Sequence, residues 1–241
     1  DWFALESLDL QGHGRFAGGL IVDYAHKPLV IYDAMGNEVV SPIKDHLQLH
    51  LGLAVNLWGR LRLSAGLPIA LVADGTSGSA RGFVFTAKDS AALGDVRLGA
   101  DLRLVGNYGD VFTLALGALV HVPTGDRDAY TSDGKPRIMP RLMMAGDILD
   151  FTYAAMVGMD GRLLQENFGG RPFGTEVTFG AAAGFRFADR ALLIGPEVYG
   201  STVVTDDAVC KKLSTPTEVI LGAHYRAGQA WMLGLGGGAG L

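Results

Sequence analysis

From Asp45 to Trp58 the chain alternates strictly. Leu47, Leu49, Leu51, Leu53, Val55 and Leu57 occupy the odd positions, with His46, Gln48, His50, Gly52, Ala54 and Asn56 between them. Successive strand side chains point to opposite faces, so this spacing predicts a strand with one hydrocarbon face and one polar or small face. The same pattern returns at Leu61–Leu71, with Arg60, Arg62, Ser64, Gly66 and Pro68 on the second face. It returns at Val96–Leu104, opposed by Asp95, Arg97, Gly99, Asp101 and Arg103, and again at Phe112–Val122. Val177–Phe187 alternates against Glu176, Thr178, Gly180, Gly184 and Arg186, and Val219–Tyr225 against Glu218, Gly222, His224 and Arg226. Weaker versions occupy Phe16–Ile31, Arg137–Ile148, Phe151–Leu163, Leu192–Val204 and Trp231–Ala239, for eleven predicted strands.

The connections alternate as well. Tight turns are expected at Trp58–Arg60, Asn107–Asp110, Leu149–Asp150, Ala188–Arg190 and Ala227–Gln229. Long polar loops fall at about 33–44, 73–92, 124–136, 165–174 and 205–216. A soluble sandwich has no reason to make its two ends so different or its strands so long, since ordinary strands run to about five or six residues. A lipocalin-like barrel would carry its apolar face inward and about eight strands. An all-β, antiparallel up-and-down transmembrane barrel needs roughly nine to eleven residues per crossing, apolar outward, with short turns at one end and long loops at the other. The pattern fits that third architecture. Bacterial single-chain barrels have even strand counts, so about twelve strands are expected, one of them beyond Leu241; Phe3–Leu10 is the rival source. Residues 1–14 read as a periplasmic N-terminal segment and 15–241 as the barrel, with both barrel ends periplasmic and the long loops extracellular.

Composition agrees with that reading. The chain has 241 residues, 49% hydrophobic and 19% charged, with 35 glycines and a net charge of -5. The hydrophobicity is never concentrated into about 18 apolar residues in a row, which excludes a membrane-spanning helix. The weak acidity and the absence of Lys/Arg clusters exclude a nucleic-acid footprint.

By parity, the interior carries a mixed charge network: Arg60, Arg62, Asp95, Arg97, Asp101, Arg103, Arg137, Arg141, Asp160, Arg162, Glu176, Arg186, Glu197, Glu218 and Arg226. Both signs are present in similar supply. Such groups can pair and fill a narrow lumen, line a solute path, or hold an anion on guanidinium forks. His46 and His50 share a strand face but stand about 13 Å apart, too far to share an ion, and Cys210 has no intrachain partner for a disulfide. No cofactor or metal is expected. Neither a Gly-x-Ser-x-Gly elbow nor another nucleophile motif occurs, and Asp126, Asp128, Asp133 and Lys135 read as solvated turn residues, so no enzyme is expected. Trp2, Trp58, Tyr108, Phe151 and Trp231 fall at the short-turn ends, with Tyr24, Tyr32, Phe83, Phe85, Tyr130 and Phe173 toward the loop ends. Two such aromatic bands suit a membrane girdle.

Several stretches carry a family likeness. Phe3-Ala-Leu-Glu6, Leu20–Leu29, Leu93-Gly-Asp-Val-Arg-Leu98, Val122-Pro-Thr-Gly-Asp126 and Gly195–Ser201 resemble the N-terminal barrel of OmpA-family outer-membrane proteins of the myxobacterial type. The resemblance implies an outer-membrane anchor in a Gram-negative envelope, in contact with lipid and lipopolysaccharide and joined in a longer protein to a peptidoglycan-binding domain. A narrow porin-like channel, or a surface recognition module acting with an adhesin, are its alternatives.

Overall fold

The computed structural model describes residues 2–241 except 34, 36, 81, 88–89, 164–165, 169–170, 205–208, 212–213 and 229. Its backbone is an antiparallel meander, with no α-helix among the described residues. Eleven long strands follow one another in sequence order: β1 (Arg15–Tyr32), β2 (Glu38–Leu57), β3 (Leu61–Asp74), β7 (Val96–Val105), β8 (Thr113–Val122), β9 (Arg137–Ile148), β10 (Phe151–Arg162), β13 (Glu176–Phe187), β14 (Leu192–Val203), β15 (Thr217–Ala227) and β16 (Trp231–Gly240). The short strand β6 (Ala92–Leu93) adds to β3. Two small hairpins, β4 (Gly78–Ala80) with β5 (Phe83–Phe85) and β11 (Glu166–Phe168) with β12 (Arg171–Phe173), decorate two of the long connections.

The sheet curls into a half-barrel. Every neighbouring pair is antiparallel, so β1 and β16 run in the same direction, and no ladder joins these two edges among the described residues.

The leucine parity lies on the convex side. Leu53 is 69% exposed, and Leu51, Leu63, Leu98, Leu102, Leu116, Leu142, Val157, Phe185, Leu221 and Leu235 are exposed with it. In water this surface would be a severe liability, because soluble monomers rarely show contiguous apolar patches beyond a few hundred Å². Hydrocarbon is the solvent it suits. The opposite parity holds the buried polar groups Arg62, Asp95, Asp101, His121, Arg141, Asp160, Glu197 and His224.

Two differences from the sequence reading have local causes. Strand β2 starts at Glu38 rather than Asp45 and pairs with β1 up to Tyr32, because Val39, Val40 and Ile43 continue the sheet through a series of register shifts. Pro42 breaks the visible alternation there. The connection at 73–92 also folds back as a hairpin that buries Phe85 to 1% exposure, so this ring sits in a loop core instead of an aromatic band.

The N-terminal segment joins neither edge. Residues ahead of β1 run across the concave face without strand pairing, which removes Phe3–Leu10 as a twelfth strand.

Candidate functional site

Leu8 and Leu10 of this N-terminal segment are among the most deeply buried apolar side chains of the described residues. Leu8 and Leu10 (2% and 0% exposed) pack with Ala115 of β8 and Met143 of β9, and Leu5 packs with Ala154 of β10 and Ala182 of β13. Trp2 and Phe3 reach further, to His224 of β15, whose ring centroid lies 4.4 Å from that of Phe3. At the other end, the Asn56 side-chain amide on β2 donates to the carbonyl of Asp9 at 3.0 Å, and Gly59 N–H donates to the carbonyl of Gly12 at 2.8 Å. One short segment can touch strands from β2 to β16 only by crossing the lumen.

The inner wall is shaped for it. A Cβ at Gly222, Gly234 or Gly236 would come within 2.7–3.1 Å of the Phe3 ring, and one at Gly184 within 3.0 Å of the Trp2 ring. Glu197, 1% exposed, accepts from the backbone N–H groups of Phe3 at 2.9 Å and Ala4 at 2.8 Å. The N-terminal aromatic pair therefore lies inside the sheet's curvature, which takes Trp2 out of the short-turn band where its position along the chain had placed it.

A charged belt crosses the same level. Antiparallel register puts Arg62, Asp101, Gly117 and Arg141 side by side on β3, β7, β8 and β9. Asp101 is fully buried and receives both guanidinium forks, with Arg62 Nε and Nη2 at 3.0 and 2.8 Å from Oδ2, and Arg141 Nε and Nη2 at 3.1 and 2.8 Å from Oδ1. Glu6 of the segment bridges the outer edges of the two guanidiniums at 3.2 and 3.3 Å, and Arg62 also donates to the carbonyl of Ser7. Two cations, two carboxylates and a backbone carbonyl thus form a closed set. Pairing at this completeness is what allows ions to be buried at all.

A second belt lies nearer the long-loop end. Arg137 meets Asp160 at 3.2 Å, Asp133 at 3.4 Å and the Nδ1 of His121 at 3.0 Å. Arg162 joins Asp160, Asp133 and Glu176 at 3.2, 3.2 and 3.3 Å. Asp95 accepts from Gly125 N–H, and Arg97 stands beside His121 in register with no hydrogen bond or ion pair among the described residues.

The remaining interior charges are dispersed. Arg186 and the exposed Arg190 approach Asp147 at 3.6 and 2.6 Å near the short turns; Arg226 contacts the hydroxyl of Tyr108, and Glu218 that of Tyr199. Arg103 is half-buried with one terminal nitrogen unpartnered. Arg60 sits exposed in the tight turn after β2 and joins neither belt. Glu6, Ser7, Asn56 and Asp147 are the participants that parity alone did not bring together. For Glu6 the only signal is its place in the run Leu5-Glu6-Ser7-Leu8-Asp9-Leu10, where leucines flank a carboxylate.

Among the described residues no group of three or more His, Cys, Asp and Glu is arranged to hold a metal ion, and Cys210 is exposed and unpaired. The side chains of Phe83 and Phe173 lie outside the described residues. Trp58 and Trp231, 70% and 72% exposed, mark the short-turn rim, and Tyr24 is exposed toward the other.

Residues 32–241 match the model of the family described as "Putative MetA-pathway of phenol degradation". The chain belongs to this family. It is an outer-membrane-associated family, and its match covers every long strand after β1. The MetA-pathway family takes the place of the OmpA likeness, for which nothing is found. The stretches that suggested OmpA are strand starts and turn signatures rather than residues of a functional site. A comparison with curated proteins finds no match.

Proposed function

We propose that the protein is a narrow outer-membrane passage for a small solute of phenol catabolism, held closed from the short-turn side by its own N-terminal segment. The observation that carries this reading is the segment crossing the lumen from Phe3 at β15 and β16 to Asp9 at β2, clamped by Glu197 and by the Arg62–Asp101–Arg141 belt. The family description, which names phenol degradation, supports this choice of solute class. A polar lumen in a leucine-faced wall supplies the path, and the segment supplies the closure, because it can leave without unravelling any strand. Outer-membrane lipid and lipopolysaccharide surround the wall in this reading, the short turns are periplasmic, the long loops face outward, and no covalent chemistry is performed.

The second reading is a permanently closed barrel serving as a membrane anchor. The completeness of the Asp101 belt favours it, since a barrel filled with satisfied ion pairs gains rigidity without needing an opening.

Planar-bilayer recording separates the two. Wild-type protein is expected to show rare, brief conductance, and protein lacking residues 2–12 sustained conductance. If the shortened protein still shows heat-modifiable gel migration and passes no current above the lipid background, the passage fails and the anchor stands.

A further inference from the structure

The belt nearest the long loops differs from the Asp101 belt in one respect: it is not satisfied. Of the buried side-chain polar atoms without a hydrogen-bond partner among the described residues, four belong to it, namely Asp95 Oδ2, His121 Nε2, Arg137 Nε and Asp160 Oδ1. Three of their side chains are deeply buried, with Asp95, His121 and Asp160 at 2%, 6% and 3% exposure. A polar atom buried without a hydrogen bond costs roughly 1–3 kcal/mol. Their clustering in one place points to something that completes them.

The donor and acceptor pattern identifies the chemistry. The Arg137 guanidinium donates to His121 Nδ1, which makes Nδ1 the acceptor and leaves a hydrogen on Nε2. His121 Nε2 is therefore a donor without a hydrogen-bond partner among the described residues, and Asp95 Oδ2 and Asp160 Oδ1 are acceptors without one, while Arg137 Nε faces Asp133 Oδ2 at 3.4 Å and Arg137 Nη2 stands 4.0 Å from Asp95 Oδ2. Arg97, Arg137 and Arg162 face Asp95, Asp133, Asp160 and Glu176, so the belt carries no surplus positive charge to hold an anion. A cation lacks a ligand set here, as no metal-holding cluster occurs among the described residues. A neutral hydroxyl meets both demands, because it accepts one hydrogen bond and donates another.

The surroundings add room for a ring. Arg97, in register beside His121, is exposed and makes no hydrogen bond or ion pair among the described residues, so its guanidinium can take a ring against its face. On its other side the register continues through Gly66, Gly52 and Gly19. A Cβ at Gly19 would meet nothing within 4 Å. The wall beside Arg97 thus carries three glycines in a row and no side chain beyond Cα, and planar guanidinium over an aromatic face is a favourable contact.

We propose that Arg97, His121 and Asp95 form a binding station for a small, uncharged, hydroxyl-bearing aromatic molecule. The ring lies over the glycine wall against Arg97, the hydroxyl oxygen accepts from His121 Nε2, and the hydroxyl hydrogen goes to Asp95 Oδ2. The station rests on the reading of the protein as a passage and gives that passage a chemical filter.

The test is a binding titration on the whole chain in detergent micelles, with histidine rings labelled with ¹⁵N, using phenol and its methyl ether anisole as probes. Phenol is expected to shift the His121 Nε2 signal saturably. Anisole, which has no hydrogen to donate, is expected to shift it little at the same concentration. Arg97→Gln, which breaks no hydrogen bond or ion pair among the described residues, is expected to weaken phenol about tenfold while gel migration stays wild type. No saturable shift, equal response to anisole, or unchanged affinity in Arg97→Gln each overturns the station. Because the titration reads binding without transport, a barrel that conducts but ignores phenol loses only the station. One that binds phenol but never conducts loses only the passage.

Discussion

The carboxylate of Asp101 reaches the guanidinium of Arg141 by passing over Gly117. The two residues lie on strands separated by β8, yet Arg141 Nη2 stands 2.8 Å from Asp101 Oδ1, and a Cβ on Gly117 would collide with that oxygen. The glycine is the gap through which two non-adjacent strands are ionically joined.

Gly117→Ala is therefore expected to destabilise the barrel by about 3–5 kcal/mol, the range for breaking a buried ion pair and leaving a charge uncompensated. The urea midpoint of the heat-modifiable form in micelles measures it. A midpoint within error of wild type would show that the bridge contributes nothing.

Glu197 holds the segment by two charge-assisted bonds to backbone N–H groups. Replacing it, Glu197→Gln, weakens both. Each such bond contributes about 1.5–3 kcal/mol, and cleavage of a transiently opened segment follows its open population. Chymotryptic cleavage after Phe3 or Leu5 is expected to accelerate on the order of 100-fold, with the strands still resistant.

Gly236→Val places a branched side chain where the Phe3 ring lies 2.7 Å from an added Cβ. The ring must leave its slot. In a Trp58→Phe, Trp231→Phe background, the remaining Trp2 emission is expected to move to longer wavelength as its neighbour is expelled; unchanged emission would mean that the slot tolerates a side chain.

Leu53 and Ala54 are neighbours on opposite faces of β2, and only Leu53 is strongly exposed on the convex side. Leu53→Arg is expected to cost about 2–4 kcal/mol of stability in lipid, as lipid-facing arginine does near the bilayer midplane. Refolding yield into vesicles at graded urea reads this cost. A yield equal to wild type would argue against a lipid-facing Leu53.

The meander was legible because the alternation recurs over eleven segments joined in turn by short and long connections. Parity at Leu51 and Leu53 against Gly52 and Ala54 assigned outside and inside correctly, since a one-residue slip would invert every side chain. Partnership within the interior was not legible. Arg62, Asp101 and Arg141 are distant in sequence, and only the register of three successive hairpins brings them into one row. The N-terminal segment was the least legible part. Leu5, Leu8 and Leu10 follow no strand period with their surroundings, and their burial depends on wells formed by Ala115, Met143, Ala154 and Ala182 from four other strands. The inner glycines were visible as a group, but their use as a slot for Phe3 depends on the ring itself, which local sequence does not place.

Hydrogen exchange at the Phe3 and Ala4 amides, measured by NMR on the protein in lipid nanodiscs, tests the closure most directly. With Glu197 accepting from both groups inside the lumen, these amides are expected to exchange orders of magnitude more slowly than an unstructured chain and to lose that protection in Glu197→Ala. Exchange at the unprotected rate in the wild-type protein would contradict the closure, because it would put the N-terminal segment outside the barrel.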